Sequence, residues 1–123
     1  MISKKEVLAI HSILIEQFGG SNGVRDQGLL ESAIERPFQT FDGKELYPDS
    51  TEKAAAILES IVKNHPFIDG NKRTGYVLAR LLLMNNNRDI EATEDQKYEL
   101  VIGISTGELG YEAIKQWIKN HSS

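Results

Sequence analysis

The chain has 123 residues and 13.8 kDa, with 40% hydrophobic and 26% charged residues, the composition of one globular domain, residues 1–123, and too apolar for a disordered tail. It has no cysteine, which excludes a disulfide framework, a thiolate nucleophile and cysteine-ligated zinc or iron–sulfur centres. Lys plus Arg is 14 against 18 for Asp plus Glu, a net charge of −4, so direct nucleic-acid binding is not expected. With no apolar run of signal-peptide or membrane-spanning length, the expectation is a cytoplasmic protein with no membrane partner.

Ser3 followed by Glu6 has the spacing of a capping box, and Val7, Ile10, Leu14 and Phe18 recur at helical period until Gly19-Gly20 stops the pattern. Asp26 caps a second helix through Leu29, Leu30, Ala33 and Ile34, ending near Arg36 because Pro37 disfavours helical geometry in the residue before it. From Pro37 to Pro48 the Asp42-Gly43 pair and the aromatics Phe38, Phe41 and Tyr47 predict a structured loop or a short hairpin. Asp49 with Glu52 opens a third helix that Pro66 stops by about Asn64, and a fourth runs from Asn71 to Met84. Its end is apolar on nearly every side, which predicts the central helix of the fold. After Asn85-Asn86-Asn87, Thr93 with Gln96 caps a fifth helix, and Tyr111 to Asn120 forms a sixth with Ile114, Trp117 and Ile118 inward. No strand of useful length competes, so the expected class is all-α, a compact bundle of about six helices.

The turn between the third and fourth helices concentrates the chemistry. His65-Pro66-Phe67-Ile68-Asp69-Gly70-Asn71-Lys72-Arg73-Thr74-Gly75 holds a base, a carboxylate, an amide and two cations. From Lys63 to Arg80, four basic residues face Asp69 alone, a local charge of +3 that leaves −7 on the remainder. The amides of Asn71, Lys72 and Arg73 are orphan donors at a helix N-terminus, which attracts phosphate. Lys72 and Arg73 oppose the helix dipole there, and a bound polyanion would explain them. Asp69 is a hard oxygen ligand placed to hold Mg²⁺ against nucleotide phosphates. Histidine is suited to accept a hydroxyl proton near neutrality, so His65 is the candidate base. Each position also has a plainer reading: His65 a helix cap, Asp69-Gly70 a turn, Lys72 and Arg73 a solvated face. Phe67 reads as a core anchor and Gly75 as a site of close helix packing. His11 and His121 have no neighbouring ligands in the sequence.

His65-x-Phe67-x-Asp69-Gly70-Asn71-x-Arg73 resembles the signature of the Fic fold, and Lys72 resembles its Doc (death-on-curing) branch. The likeness extends through Gly19-Gly20, Asp26-Gln27-Gly28, Thr74 and Thr106-Gly107-Glu108. It implies a single-domain Fic-fold bundle acting as the toxin of a bacterial toxin–antitoxin pair. In Fic proteins generally the motif binds ATP and Mg²⁺ and transfers AMP to a target hydroxyl. Here Lys72 stands where that pattern has glycine, and Tyr76 where it has a second arginine. A bulky cation where backbone must approach phosphate changes how the nucleotide sits, in keeping with the Doc branch, whose members are kinases.

The resemblance implies that His65 deprotonates the target hydroxyl, that Asp69 holds Mg²⁺, and that Gly70, Asn71, Lys72 and Arg73 bind the phosphates, with Lys72 and Arg73 neutralising charge during transfer. It further implies a threonine of elongation factor Tu as target, and a docking flap at 37–48. No self-inhibitory Ser/Thr-x-x-x-Glu-Gly/Asn pattern is present, so restraint is expected from the C-terminal segment of a small Phd-like antitoxin that folds on binding. AMP transfer and a catalytically silent antitoxin-binding module are the alternatives.

Overall fold

All four of the helix starts read from capping residues form where the sequence puts them. In the computed structural model, which describes residues 2–123, the reciprocal Ser3–Glu6 box starts α1, Lys4–Phe18. The Asp26 carboxylate accepts from the Leu29 N–H to start α2, Gln27–Glu35, and a 3-10 turn, Arg36–Phe38, absorbs Pro37. Asp49 accepts from the Glu52 N–H at the head of α3, Ser50–Asn64. Helix α4, Asn71–Met84, begins after Gly70 without a side-chain cap. A Thr93–Gln96 box starts α5, Glu94–Ser105, and α6 spans Tyr111–Asn120. Among the described residues these six helices carry the fold, and none is long and apolar enough to cross a membrane.

The segment between Pro37 and Pro48 is a hairpin. Strand β1, Thr40–Phe41, pairs antiparallel with β2, Lys44–Glu45, Thr40 opposite Glu45 and Phe41 opposite Lys44. Asp42 and Gly43 both take positive φ, 54° and 78°, as the two-residue turn that matches strand twist requires. Phe41 stands out into solvent, 74% exposed.

The hub of the bundle is α3, not α4. It packs against α2, the 3-10 turn, α4, α5 and α6, and Ala54, Ala55, Ala56, Ile57, Leu58, Ile61 and Val62 are all fully buried. The three consecutive alanines let neighbours approach from several sides, which an apolar-residue count undervalues. Helix α4 buries a stripe of Leu78, Ala79, Leu82 and Leu83 but leaves Met84 43% exposed. Where α3 and α4 pack, a Cβ on Gly75 would come within 3.0 Å of Val62 Cγ2 and 3.3 Å of Ile61 Cβ, so Gly75 sets their separation. Two other expectations are corrected: Phe18 is 58% exposed rather than core, and Trp117 is only half-buried, stacked on His121 with ring centroids 4.0 Å apart.

Candidate active site

Helix α3 ends on His65, whose φ of 49° and ψ of 59° are left-handed. A non-glycine residue there costs about 1–3 kcal/mol, and Pro66 biases the preceding residue toward extended geometry, so contacts must hold His65 in place. The next residues are tied down from both sides. Asn71 is buried, and its side-chain amide accepts from the Phe67 N–H and donates to the Phe67 carbonyl, both at 3.0 Å. Phe67 is fully buried, stacked on His11 with ring centroids 3.8 Å apart and planes within 5°. The His11 Nε2–H donates to the Asp69 carbonyl at 2.7 Å; a carbonyl only accepts, so the proton sits on Nε2.

A strap of residues 19–26 closes over this joint. Val24 bridges Phe67, the Ile68 N–H donates to the Gly23 carbonyl, and the Arg25 and Asp26 N–H groups donate to the Pro66 carbonyl. The approach is close enough that a Cβ on Gly20, φ 119°, would lie 2.8 Å from Asp69 Oδ2. The Ser21 N–H donates to the same oxygen at 3.2 Å, and the Gly70 N–H to Oδ1 at 2.9 Å. Each carboxylate oxygen keeps a lone pair for a further partner. A single hard, exposed carboxylate beside a helix N-terminus fits Mg²⁺, which takes one or two carboxylates and completes its shell with water and phosphate.

Beyond Asp69, Gly70 (φ 76°) turns the chain into α4. The first bond back into the helix is from the Thr74 N–H to the Gly70 carbonyl, so the N–H groups of Asn71, Lys72 and Arg73 are the open end of the helix. Among the described residues neither Lys72 nor Arg73 has a carboxylate partner, and the Arg73 guanidinium lies 4.1 Å over the Phe18 ring. Arg80, by contrast, is held in a two-bond pair with Asp89 at 2.9 and 2.8 Å and does not line the cavity described below. The excess of charge at this joint is thus narrower than the sequence count suggests.

His65, Asp69, Gly70, Asn71, Lys72 and Arg73 all line one cavity of about 560 Å³, within the range of small-molecule sites. Its far wall is Glu94, Lys97, Tyr98 and Val101 of α5, with Tyr76 and Val77 between. The Lys97 ammonium lies 5.6 Å over the Tyr76 ring. The Tyr76 hydroxyl is buried without a partner among the described residues, and burial pushes its pKa up to about 12.

The structure brings the six joint residues together on one cavity, with surroundings that the sequence does not indicate. Asn71 has a double duty, its side chain locking the Phe67 backbone while its own N–H belongs to the open end of α4. From the residues themselves Gly19-Gly20 is a helix stop, and in the fold φ of 119° at Gly20 and 121° at Gly23 also lets the strap pass over Asp69 and Ile68. His11 and the α5 wall have no local signal; they meet the joint only through tertiary packing.

The Fic/DOC family matches residues 1–83. The chain belongs to the Fic/DOC family. It is 36% identical over 115 residues to a protein named Toxin Doc from Mycolicibacterium smegmatis, covering 92% of this chain and 86% of that protein. It is 30% identical over 118 residues to a protein named Protein kinase doc from Escherichia phage P1, covering 96% and 92%. Both relatives carry the Doc name, as Lys72 led us to expect.

Proposed function

We propose that the chain is the toxin of a bacterial toxin–antitoxin pair and a Doc-like protein Ser/Thr kinase that moves the γ-phosphoryl group of ATP to a protein hydroxyl in the cytoplasm. One observation carries the reading: the open N-terminus of α4 and two cations without carboxylate partners share a cavity with His65 and Asp69. Orphan N–H groups, the helix dipole and full positive charges all favour a polyphosphate there. The names of the two relatives support the same reading.

In this reading His65 accepts the proton of the target hydroxyl as its oxygen bonds to the γ-phosphorus, and ADP leaves with the bridging oxygen. Asn71, Lys72 and Arg73 hold the phosphates with their N–H groups, and the Lys72 and Arg73 charges oppose the charge that builds during transfer. Asp69 holds Mg²⁺, which supplies further neutralisation of the phosphates. The target is a threonine of elongation factor Tu, so translation stops; the hairpin at 40–45 aligns the target segment with its exposed backbone. The partner that restrains the toxin is a small Phd-like antitoxin, bound through its C-terminal segment.

The test is the origin of the transferred group. Incubated with Mg²⁺ and a bacterial extract, the protein is expected to label one polypeptide of the size of elongation factor Tu from γ-labelled ATP, and Asp69→Ala to abolish the labelling. Transfer from α-labelled ATP would replace the kinase reading with AMP transfer. No transfer from either, with growth inhibition intact in Asp69→Ala, would leave a silent binding module.

A further inference from the structure

The left-handed geometry at His65 needs a cause, and the end of α3 lacks the usual one. At the end of α1 the Gly19 N–H bonds back to the Ile15 carbonyl; among the described residues no such bond closes α3. A side chain from the strap takes its place. Arg25 Nε donates to the His65 carbonyl at 2.6 Å and Nη2 to the Asn64 carbonyl at 2.7 Å. A guanidinium presents parallel donors in a rigid plane, and here it spans two successive carbonyls at the negative end of the helix dipole.

We infer that Arg25 is a positioning residue for His65, its guanidinium gripping the last carbonyls of α3 so that His65 stays left-handed with its imidazole on the wall of the cavity. The catalytic meaning of that placement rests on the proposed role of His65 as the base. Without the grip, Pro66 draws His65 toward extended geometry, and rotation of φ and ψ at that residue swings its Cβ and ring away from the phosphate end of α4. The strap does not depend on the side chain. The Arg25 and Asp26 N–H groups still bond the Pro66 carbonyl, the Ile68 N–H still bonds Gly23, and Asp26 still caps α2. Arg25 is itself exposed, so its loss opens no hole in the core. Its effect is therefore separable from folding.

The experiment compares wild type, Arg25→Gln and Arg25→Lys by NMR of the full chain and by steady-state kinetics. In Arg25→Gln the backbone and ring resonances of His65 are expected to move, while the methyl signals of Leu78 and Ile114 and the melting temperature hold. The turnover rate should fall by about 10²-fold with KM for ATP unchanged, the cost of a misplaced reacting group. Arg25→Lys, with one cationic donor group in place of the fork, should recover about tenfold of that loss. His65 resonances that stay at their wild-type positions would overturn the proposal. So would a displacement accompanied by collapse of the core signals, since Arg25 would then serve the fold as a whole. Should Arg25→Gln fail to fold, Arg25→Lys decides by the same criterion. A wild-type protein with no transfer activity would refute the kinase reading alone, because the resonances of His65 test its positioning without it.

Discussion

Two helices of this bundle leave through a left-handed residue other than glycine: α3 at His65, φ 49°, and α4 just beyond its end at Asn87, φ 58°. Their surroundings differ in what is left over. Past Met84, the Asn85, Asn86, Asn87 and Arg88 N–H groups all bond back to carbonyls of α4. Arg80 is paired with Asp89, and Arg88 bonds the hydroxyls of Thr51 and Ser122. Both guanidinium groups at that joint are spent inside the fold. At His65 the structural bonds are made by other groups, namely Asn71, His11 and Arg25, and Lys72 and Arg73, which line the open cavity, have no carboxylate partner among the described residues. The joint after α4 pairs its cations within the fold, whereas the joint at His65 keeps two cations available to an anion.

The sharpest way to break this contrast is to alter the two left-handed residues themselves. His65→Gln should lower the transfer rate by about 10²–10⁴-fold, the usual worth of a general base, with the melting temperature little changed because the ring is exposed. Asn87→Gly should leave transfer untouched and move stability by about 1 kcal/mol or less, relief of the left-handed strain opposing the added freedom of the unfolded chain. Paired kinetic and melting measurements check both; equal losses of activity would erase the distinction between the joints.

Phe67→Ala asks how much of the joint at His65 is scaffold. The ring is fully buried, stacked on His11, at the point where the strap bridges the turn. Its truncation should cost about 3–5 kcal/mol, read from the denaturant midpoint, and an unchanged midpoint would contradict its assignment as an anchor. Lys72→Ala makes the opposite prediction. Half-exposed and without an ion-pair partner, Lys72 should matter little to stability, yet its removal should slow transfer by about 10–10²-fold through lost charge stabilisation. Lys72→Gly further tests whether the lysine selects the transferred group, read as the ratio of γ- to α-label on the target.

What the sequence disclosed, and what it withheld, follows the range of the interactions. Ser3–Glu6, Asp26, Asp49 and Thr93–Gln96 act within one helical turn, so each cap is legible from spacing alone. The joint residues are legible for the same reason, since His65, Asp69 and Lys72 lie within eight positions of chain and a single bend gathers them. The centrality of α3 was not, because alanine carries little apolar weight and its value lies in letting neighbours approach. Arg25 reads as an ordinary surface cation beside a helix cap; only the fold brings it to carbonyls 39 and 40 residues away. His11 is likewise 58 residues from the carbonyl it meets. A residue that supports a site through backbone atoms leaves no chemical signature in its partner, since any side chain supplies the same carbonyl.

The smallest effect expected lies at the joint after α4. The Arg80 hydrogen bond holds the Asp89 carboxyl below its ordinary value of 3.8. A carboxyl depressed by folding contributes stability that is fully present above the unfolded value and is lost as the pH falls through the folded one. Both side chains are more than a third exposed, at 38% and 34%, so solvent screens the pair and its worth is about 1 kcal/mol or less. Melting curves of wild type and Asp89→Asn should therefore lie apart at about pH 6 and converge toward about pH 2, with the gap shrinking further in high salt. Transfer activity at neutral pH should be the same in both proteins. A loss of activity in Asp89→Asn without loss of stability would mean that the Arg80–Asp89 pair supports the joint at His65 as well, and that the two joints are coupled after all.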